Sequence, residues 1–169
     1  MSVPSRLPTL YLAGAIRDGV EDDIRWRERV LDACQDLAVF LNPLAGKHFN
    51  AETRTWSVSG IPSTARLIVK HDFWCVDRAD IVVFNFRALS QKYPNIGTLV
   101  EFGRATSRGT ILYAIVDPDY SGHENPTMFR LHPFIEENCA AIFDTVEQCV
   151  NYLRRELPCL SGARPWYVS

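Results

Sequence analysis

The chain has 169 residues, 47% of them hydrophobic and 22% charged, with a formal net charge of −2 and an isoelectric point near 6.1. Those values are globular averages and exclude a disordered or fibrous chain, while the near-neutral balance leaves no basic footprint for a nucleic acid polymer. No apolar run approaches the roughly 20 residues of a membrane span, and the start "MSVPSRLPTLYLAG" lacks a signal-peptide core and cleavage site, so one cytoplasmic domain is expected, with its core over about 9–157 and a tail over 158–169.

In chain order, "TLYLAGA" is a short apolar run ending in small residues, which predicts a buried strand over 9–13 that hands its backbone to a loop. From Glu21 to about Leu37 the apolar positions Ile24, Val30, Leu31, Cys34 and Leu37 recur at helical spacing behind an acidic first turn. "AVFLNP" predicts a second strand stopped by Pro43, and residues 44–62 read as a long polar loop, a length that usually lids or lines a site. A helix opening around Ser63 or Thr64 leads to "DIVVFNF", a β-rich run typical of a central parallel strand. A helix over 98–108, a strand over 110–116, a polar loop "DPDYSGHENP", a short helix over 132–138, a short strand near "AAIFD" and a helix over 145–156 complete the pattern.

Strands alternating with helices imply βαβ units with right-handed crossovers. The expected fold is α/β: a single small doubly wound, flavodoxin- or Rossmann-like parallel sheet of four or five strands with helices on both faces. Ligands of such sheets bind at the carboxyl ends of the strands, and the unusual residues collect there, over 14–19, 85–97 and 117–125.

Five cysteines without a CxxC pair read as reduced thiols, and four histidines without metal-ligand spacing give no reason to expect a metal. The chemistry-bearing candidates are acids. Glu101 lies in "IGTLVEFGRA" amid Leu99, Val100 and Phe102, on a helix that Gly97 and Thr98 open. It is either an ordinary first-turn acid or a functional carboxylate that the helix N-terminus helps to keep ionised; the apolar flanks favour function. Asp72, before "FWC", is either a solvated helix acid or a second carboxyl sharing a crevice with Glu101, in which case repulsion would push one of the two toward its protonated form. Asp80 reads as a structural brace for its strand. Tyr11, on the first strand, is core packing or a hydroxyl with a buried partner. The loop "AGAIRDG" brings glycines, Arg17 and backbone amides together but lacks the full GxGxxG or Walker spacing, so dinucleotide or triphosphate binding is poorly supported.

"YLAGAI", the "NP" after the second strand, "VKHDFWCVDRADIVVFNF" and "IGTLVEFGRA" followed by "GTILYAI" together resemble the nucleoside 2-deoxyribosyltransferase family over roughly residues 9–116. The resemblance implies that Glu101 is the nucleophile, Asp72 the acid that handles the leaving base, and Tyr11 the tyrosine that orients the nucleophile. It further implies that Gly14, Ile16, Arg17, Asp18, Gly19, Asn95, Gly97 and Asn125 bind substrate, Asn125 from a neighbouring subunit of a homodimer or larger homo-oligomer with shared active sites. Substrates would be a nucleoside or nucleotide and a free nucleobase, with no metal or organic cofactor. "GAIRDG" is also close to the "GSIRGG"-like first loop of the related nucleoside 5′-monophosphate N-glycosidases, whereas Asn95 stands where those enzymes tend to carry a serine. Arg17 therefore meets a 5′-phosphate or pairs with a surface acid. The leading expectation is a 2-deoxyribosyltransferase, the alternatives being a nucleoside 5′-monophosphate N-glycosidase and a catalytically silent nucleotide-sensing domain.

Overall fold

The structure, a computed structural model, describes residues 6–16, 21–44, 47–50, 55–58, 61–87, 95–116 and 132–161. Five parallel strands form the main sheet: β1 (Thr9–Gly14), β2 (Val39–Leu41), β6 (Ile81–Asn85), β7 (Ile111–Ile115) and β8 (Ala141–Phe143). Their spatial order is β2-β1-β6-β7-β8, so the short strand expected near "AAIFD" is the fifth. The helices are α1 (Asp22–Cys34), α2 (Ala65–Arg78), α3 (Ile96–Thr106), α4 (Pro133–Glu136) and α5 (Val146–Leu160).

The two faces of the sheet follow from the period of two along each strand. Leu10 and Leu12 of β1 and Ile81 and Val83 of β6 turn to the layer of Trp26, Val30, Cys149, Leu153 and Leu157, contributed by α1 and α5. Tyr11, Ala13, Val82 and Phe84 turn to the opposite layer, with Cys75 and Val76 of α2 and Phe102 and Ala105 of α3. Burial on both faces explains why β6 reads as an unbroken apolar run rather than an alternating one. This is the doubly wound, Rossmann-like architecture read from the sequence.

The chain turns from β1 to β2 on one side and later to β6 on the other, so the strand order reverses between β1 and β6, where Gly14 and Asn85 are register partners at the carboxyl ends. Gly14 is close-packed: a Cβ there would lie 3.1 Å from Trp26 Cζ2 and 3.3 Å from the Asn85 main-chain oxygen. At the opposite end Asp80 braces the sheet as expected, accepting from the Thr9 amide at 2.7 Å and from Arg6 at 3.1 Å.

Three expectations are corrected. Residues 44–62 are not an irregular loop, for they carry a second, antiparallel sheet of β3 (Lys47–Asn50), β4 (Thr55–Val58) and β5 (Ile61–Ser63). Its strands are only three or four residues long, too short for alternation to stand out against the surrounding polar residues. Helix α3 starts at Ile96, ahead of Gly97, because the Asn95 side chain caps it by accepting from the Thr98 amide. Helix α5 runs through Pro158 to Leu160 rather than stopping near 156, since its fully buried stripe of Cys149, Leu153 and Leu157 outweighs the one amide that proline removes from the last turn.

Candidate active site

A cleft of about 210 Å³ opens over the carboxyl ends of β1 and β6. Gly14 and Ile16 border it after β1, Pro43 after β2, Asp72 and Ile68 on α2, and Asn95, Gly97, Thr98 and Glu101 on or beside α3. Pro43 sits in a turn that Asn42 closes by accepting from the Leu44 amide at 2.8 Å.

On α3 the buried stripe is Thr98, Glu101, Phe102 and Ala105, at helical spacing, while the flanking Leu99 and Val100 are exposed. Two of the three apolar neighbours that drew attention to Glu101, Leu99 and Val100, thus face away, while Phe102 and the acid itself face in, Glu101 9% exposed. It lies on the second turn, beyond the first-turn amides, so the compensation for its burial is a side chain: the Tyr11 hydroxyl donates to Oε1 at 2.7 Å. Burial pushes the Glu101 carboxyl up to about 7; the Tyr11 hydrogen bond acts against that rise and the charge of Asp72 adds to it. Tyr11 is 1% exposed, and burial followed by the charge of Glu101 raises its pKa well above the ordinary value, so it remains a donor at neutral pH.

Asp72 is less deeply set, its side chain 18% exposed, and it is paired: Lys47 Nζ of β3 lies 2.6 Å from Oδ1, with its own side chain 3% exposed. His71 Nδ1 stands 3.2 Å from the same oxygen. Of the two carboxyls sharing the crevice, burial therefore falls hardest on Glu101. Cys75, one turn along α2, has its thiol pushed up to about 11 by burial, which makes it inert at neutral pH.

Arg27 of α1 is buried beneath the first loop and donates to the carbonyls of Leu12 at 3.2 Å, Gly14 at 2.8 Å and Ala15 at 3.1 Å, and to that of Asp23. Burial lowers its pKa to about 10, which leaves it cationic at neutral pH. One guanidinium thus fixes the backbone where β1 delivers Gly14 to the cleft. Among the described residues, no group of three His, Cys, Asp or Glu is disposed to hold a metal, and no helix is long and apolar enough to cross a membrane.

No family model matches the chain, and no curated protein is similar to it in sequence. Solved structures do match. A conserved protein from Enterococcus faecalis V583 superimposes with a TM-score of 0.63 at 13% identity, over 89% of this chain and 99% of that one. A 2-deoxyribosyltransferase from Leishmania mexicana gives 0.58 at 18%, over 88% and 97%. A CMP N-glycosidase from Clostridium botulinum gives 0.55 at 12%, over 87% and 98%. The chain has the fold of these two N-glycosidic-bond enzymes.

Within this fold the structure brings Glu101 and Asp72 to one cleft, with Tyr11 behind Glu101 on its hydrogen bond and Gly14, Ile16, Asn95 and Gly97 on the wall. Asn95 is also the helix cap, so its Oδ1 is committed to the Thr98 amide. Arg17, Asp18, Gly19 and Asn125 lie outside the described residues. Lys47 and Arg27 were missed. A lone lysine in a stretch read as loop carries no local mark, and Arg27 reads as one more polar residue of an amphipathic helix.

Proposed function

We propose that the protein is a nucleoside 2-deoxyribosyltransferase, a cytoplasmic enzyme that cleaves the N-glycosidic bond of a deoxynucleoside and passes the sugar to another base. The observation that carries this reading is the buried Tyr11–Glu101 pair facing the cleft that Asp72 also lines. Cleaving a C1′–N bond passes through an oxocarbenium-like state, which a carboxylate meets from one face while a proton donor relieves the leaving group on the other. Glu101 is the nucleophile: its ionised form attacks C1′ and forms a glycosyl ester. Tyr11 holds the carboxylate through Oε1 and leaves Oε2 to the sugar. Asp72 delivers a proton to the departing base and takes one back from the incoming base. The low-dielectric setting that lifts the Glu101 pKa makes the ionised carboxylate a stronger partner for developing positive charge than it would be in water.

A second reading, hydrolysis of a nucleoside 5′-monophosphate, has one observation in its favour. The N-terminus of α3, with Asn95, Gly97 and Thr98, forms part of the cleft wall, and a helix N-terminus suits an anionic group. Incubation with a 2′-deoxynucleoside and a foreign base, and separately with a 2′-deoxynucleoside 5′-monophosphate alone, distinguishes the readings. Base exchange in the first supports transfer, and free base only in the second supports hydrolysis. Silence in both leaves a binding domain.

The apolar outer face of α3, with Ile96 66% exposed beside Leu99 and Val100, and Phe134 of α4, 72% exposed, supports a homo-oligomer in which these surfaces are covered.

A further inference from the structure

We infer that Lys47 is the proton source behind Asp72. The inference rests on the glycosyl-transfer reading and extends it to a residue on the second sheet, which carries no other role in the site. Asp72 cannot act as an acid while it is a carboxylate, and its Oδ1 already accepts from an ammonium 2.6 Å away whose side chain is nearly enclosed. The proton that the leaving base requires is then not on the carboxyl but one hydrogen bond behind it. His71 Nδ1 also stands 3.2 Å from that oxygen, but its side chain is 41% exposed and does not line the cleft, where two cations lie among the described residues. Arg27 spreads its guanidinium over four backbone carbonyls. Lys47 has its ammonium on Asp72, and an ammonium, unlike a guanidinium, is a side chain that can serve as a proton donor.

The step balances. As Glu101 Oε2 bonds to C1′, the C1′–N pair of electrons stays on the base; Asp72 passes a proton to that base and receives one from Lys47 Nζ. The site begins with two carboxylates and an ammonium and ends with a neutral ester, a carboxylate and a neutral amine, so its net charge is unchanged and the base leaves neutral. The reverse transfer, from the incoming base through Asp72 to the amine, resets it.

The test compares two leaving groups in the full-length protein: 2′-deoxyadenosine, whose base needs a proton, and 7-methyl-2′-deoxyguanosine, whose cationic base departs without one. In Lys47→Met, turnover of the first falls by about 100-fold or more, the usual size of a lost proton donor, while turnover of the second stays within about tenfold. Lys47→Arg keeps a cation on Asp72 and the contact between the second sheet and α2, and circular dichroism confirms its fold, yet the same split appears because the guanidinium keeps its proton. Full rescue by arginine, or equal losses on both substrates, overturns the inference and makes the pair a structural contact. Silence of the wild-type protein on both substrates overturns the glycosyl-transfer reading itself, and this inference with it.

Discussion

Arg104 grips Asp77 through two hydrogen bonds, 2.7 Å from Nε and 2.6 Å from Nη2, with its guanidinium carbon 4.6 Å above the ring of Phe73. Arg104 stands three residues past Glu101 on α3, and Phe73 and Asp77 stand one and five past Asp72 on α2. The contact therefore couples the helices that carry the two acids, about one turn from each. Both partners are partly exposed, 38% and 28%, so solvent screens the pair and it adds little to stability.

Arg104→Ala should accordingly lower the melting temperature slightly but reduce kcat roughly tenfold or more, because a displacement of about 1 Å between reacting groups costs far more in rate than the contact contributes to folding. Steady-state kinetics beside thermal melts decide this; a loss confined to stability would leave the pair without a positioning role. The Arg104 hydrogen bond holds the Asp77 carboxyl below its ordinary value. Its contribution is thus present above the unfolded carboxyl pKa and fades as pH falls through the lower, folded one.

If Glu101 is the nucleophile proposed above, the pH dependence of turnover should carry an acidic limb near 7, with activity rising as the pH increases and this carboxyl ionises. Glu101→Gln should lose at least about 1000-fold in kcat, since no ionised group remains to form the ester. Residual turnover close to wild type would remove Glu101 from the chemistry.

The same carboxyl should make the folded protein less stable toward high pH. Its folded pKa of about 7 lies above the reference value of 4.5, so the native state binds the extra proton between them and stability declines as pH rises through that window. Glu101→Gln should then be more stable than wild type at pH 8, by on the order of 2–3 kcal/mol, with the difference shrinking toward pH 5. Denaturant titrations at the two pH values measure it.

Tyr11→Phe removes the hydroxyl that favours the ionised acid. The acidic limb should move upward from about 7, and kcat at pH 7 should fall by roughly 10–100-fold while the core packing of the ring is kept. An unmoved limb would show that the hydroxyl has no hold on the nucleophile.

Gly14→Ala should destabilise the protein by about 1–3 kcal/mol and weaken substrate binding, because the new methyl meets buried Trp26 at 3.1 Å and the Asn85 main chain at 3.3 Å, neither of which yields readily. Thermal melts and KM report the two effects separately.

Much of this was legible in the chain. The near-continuous apolar run of β6 and the alternation of strands with amphipathic helices announced a parallel sheet covered on both faces, and the strand ends are where the cleft opens. Tyr11, Asp72 and Glu101, far apart in sequence, were each marked by a polar group in apolar company. What stayed hidden was long-range: Lys47 meets Asp72 only because 44–62 folds as a short antiparallel sheet, and strands of three or four residues leave no periodic trace. The depth of Glu101 was read from three apolar neighbours, of which Leu99 and Val100 turn out to face solvent and Phe102 alone faces in. A helix puts consecutive residues on different faces, so company in sequence is not company in space.

Because β1 is locked between β2 and β6, with Tyr11 opposite Leu41 on one side and Val82 on the other, the phenol reaches α3 only when both ladders are in step. Slippage by one residue would present a leucine to Glu101 and bury the phenol in the layer beneath α1 and α5. On the proposed reading, turnover would then gauge how faithfully the middle of the sheet has zipped, and a sample whose central strands mispair would go silent while keeping its helices.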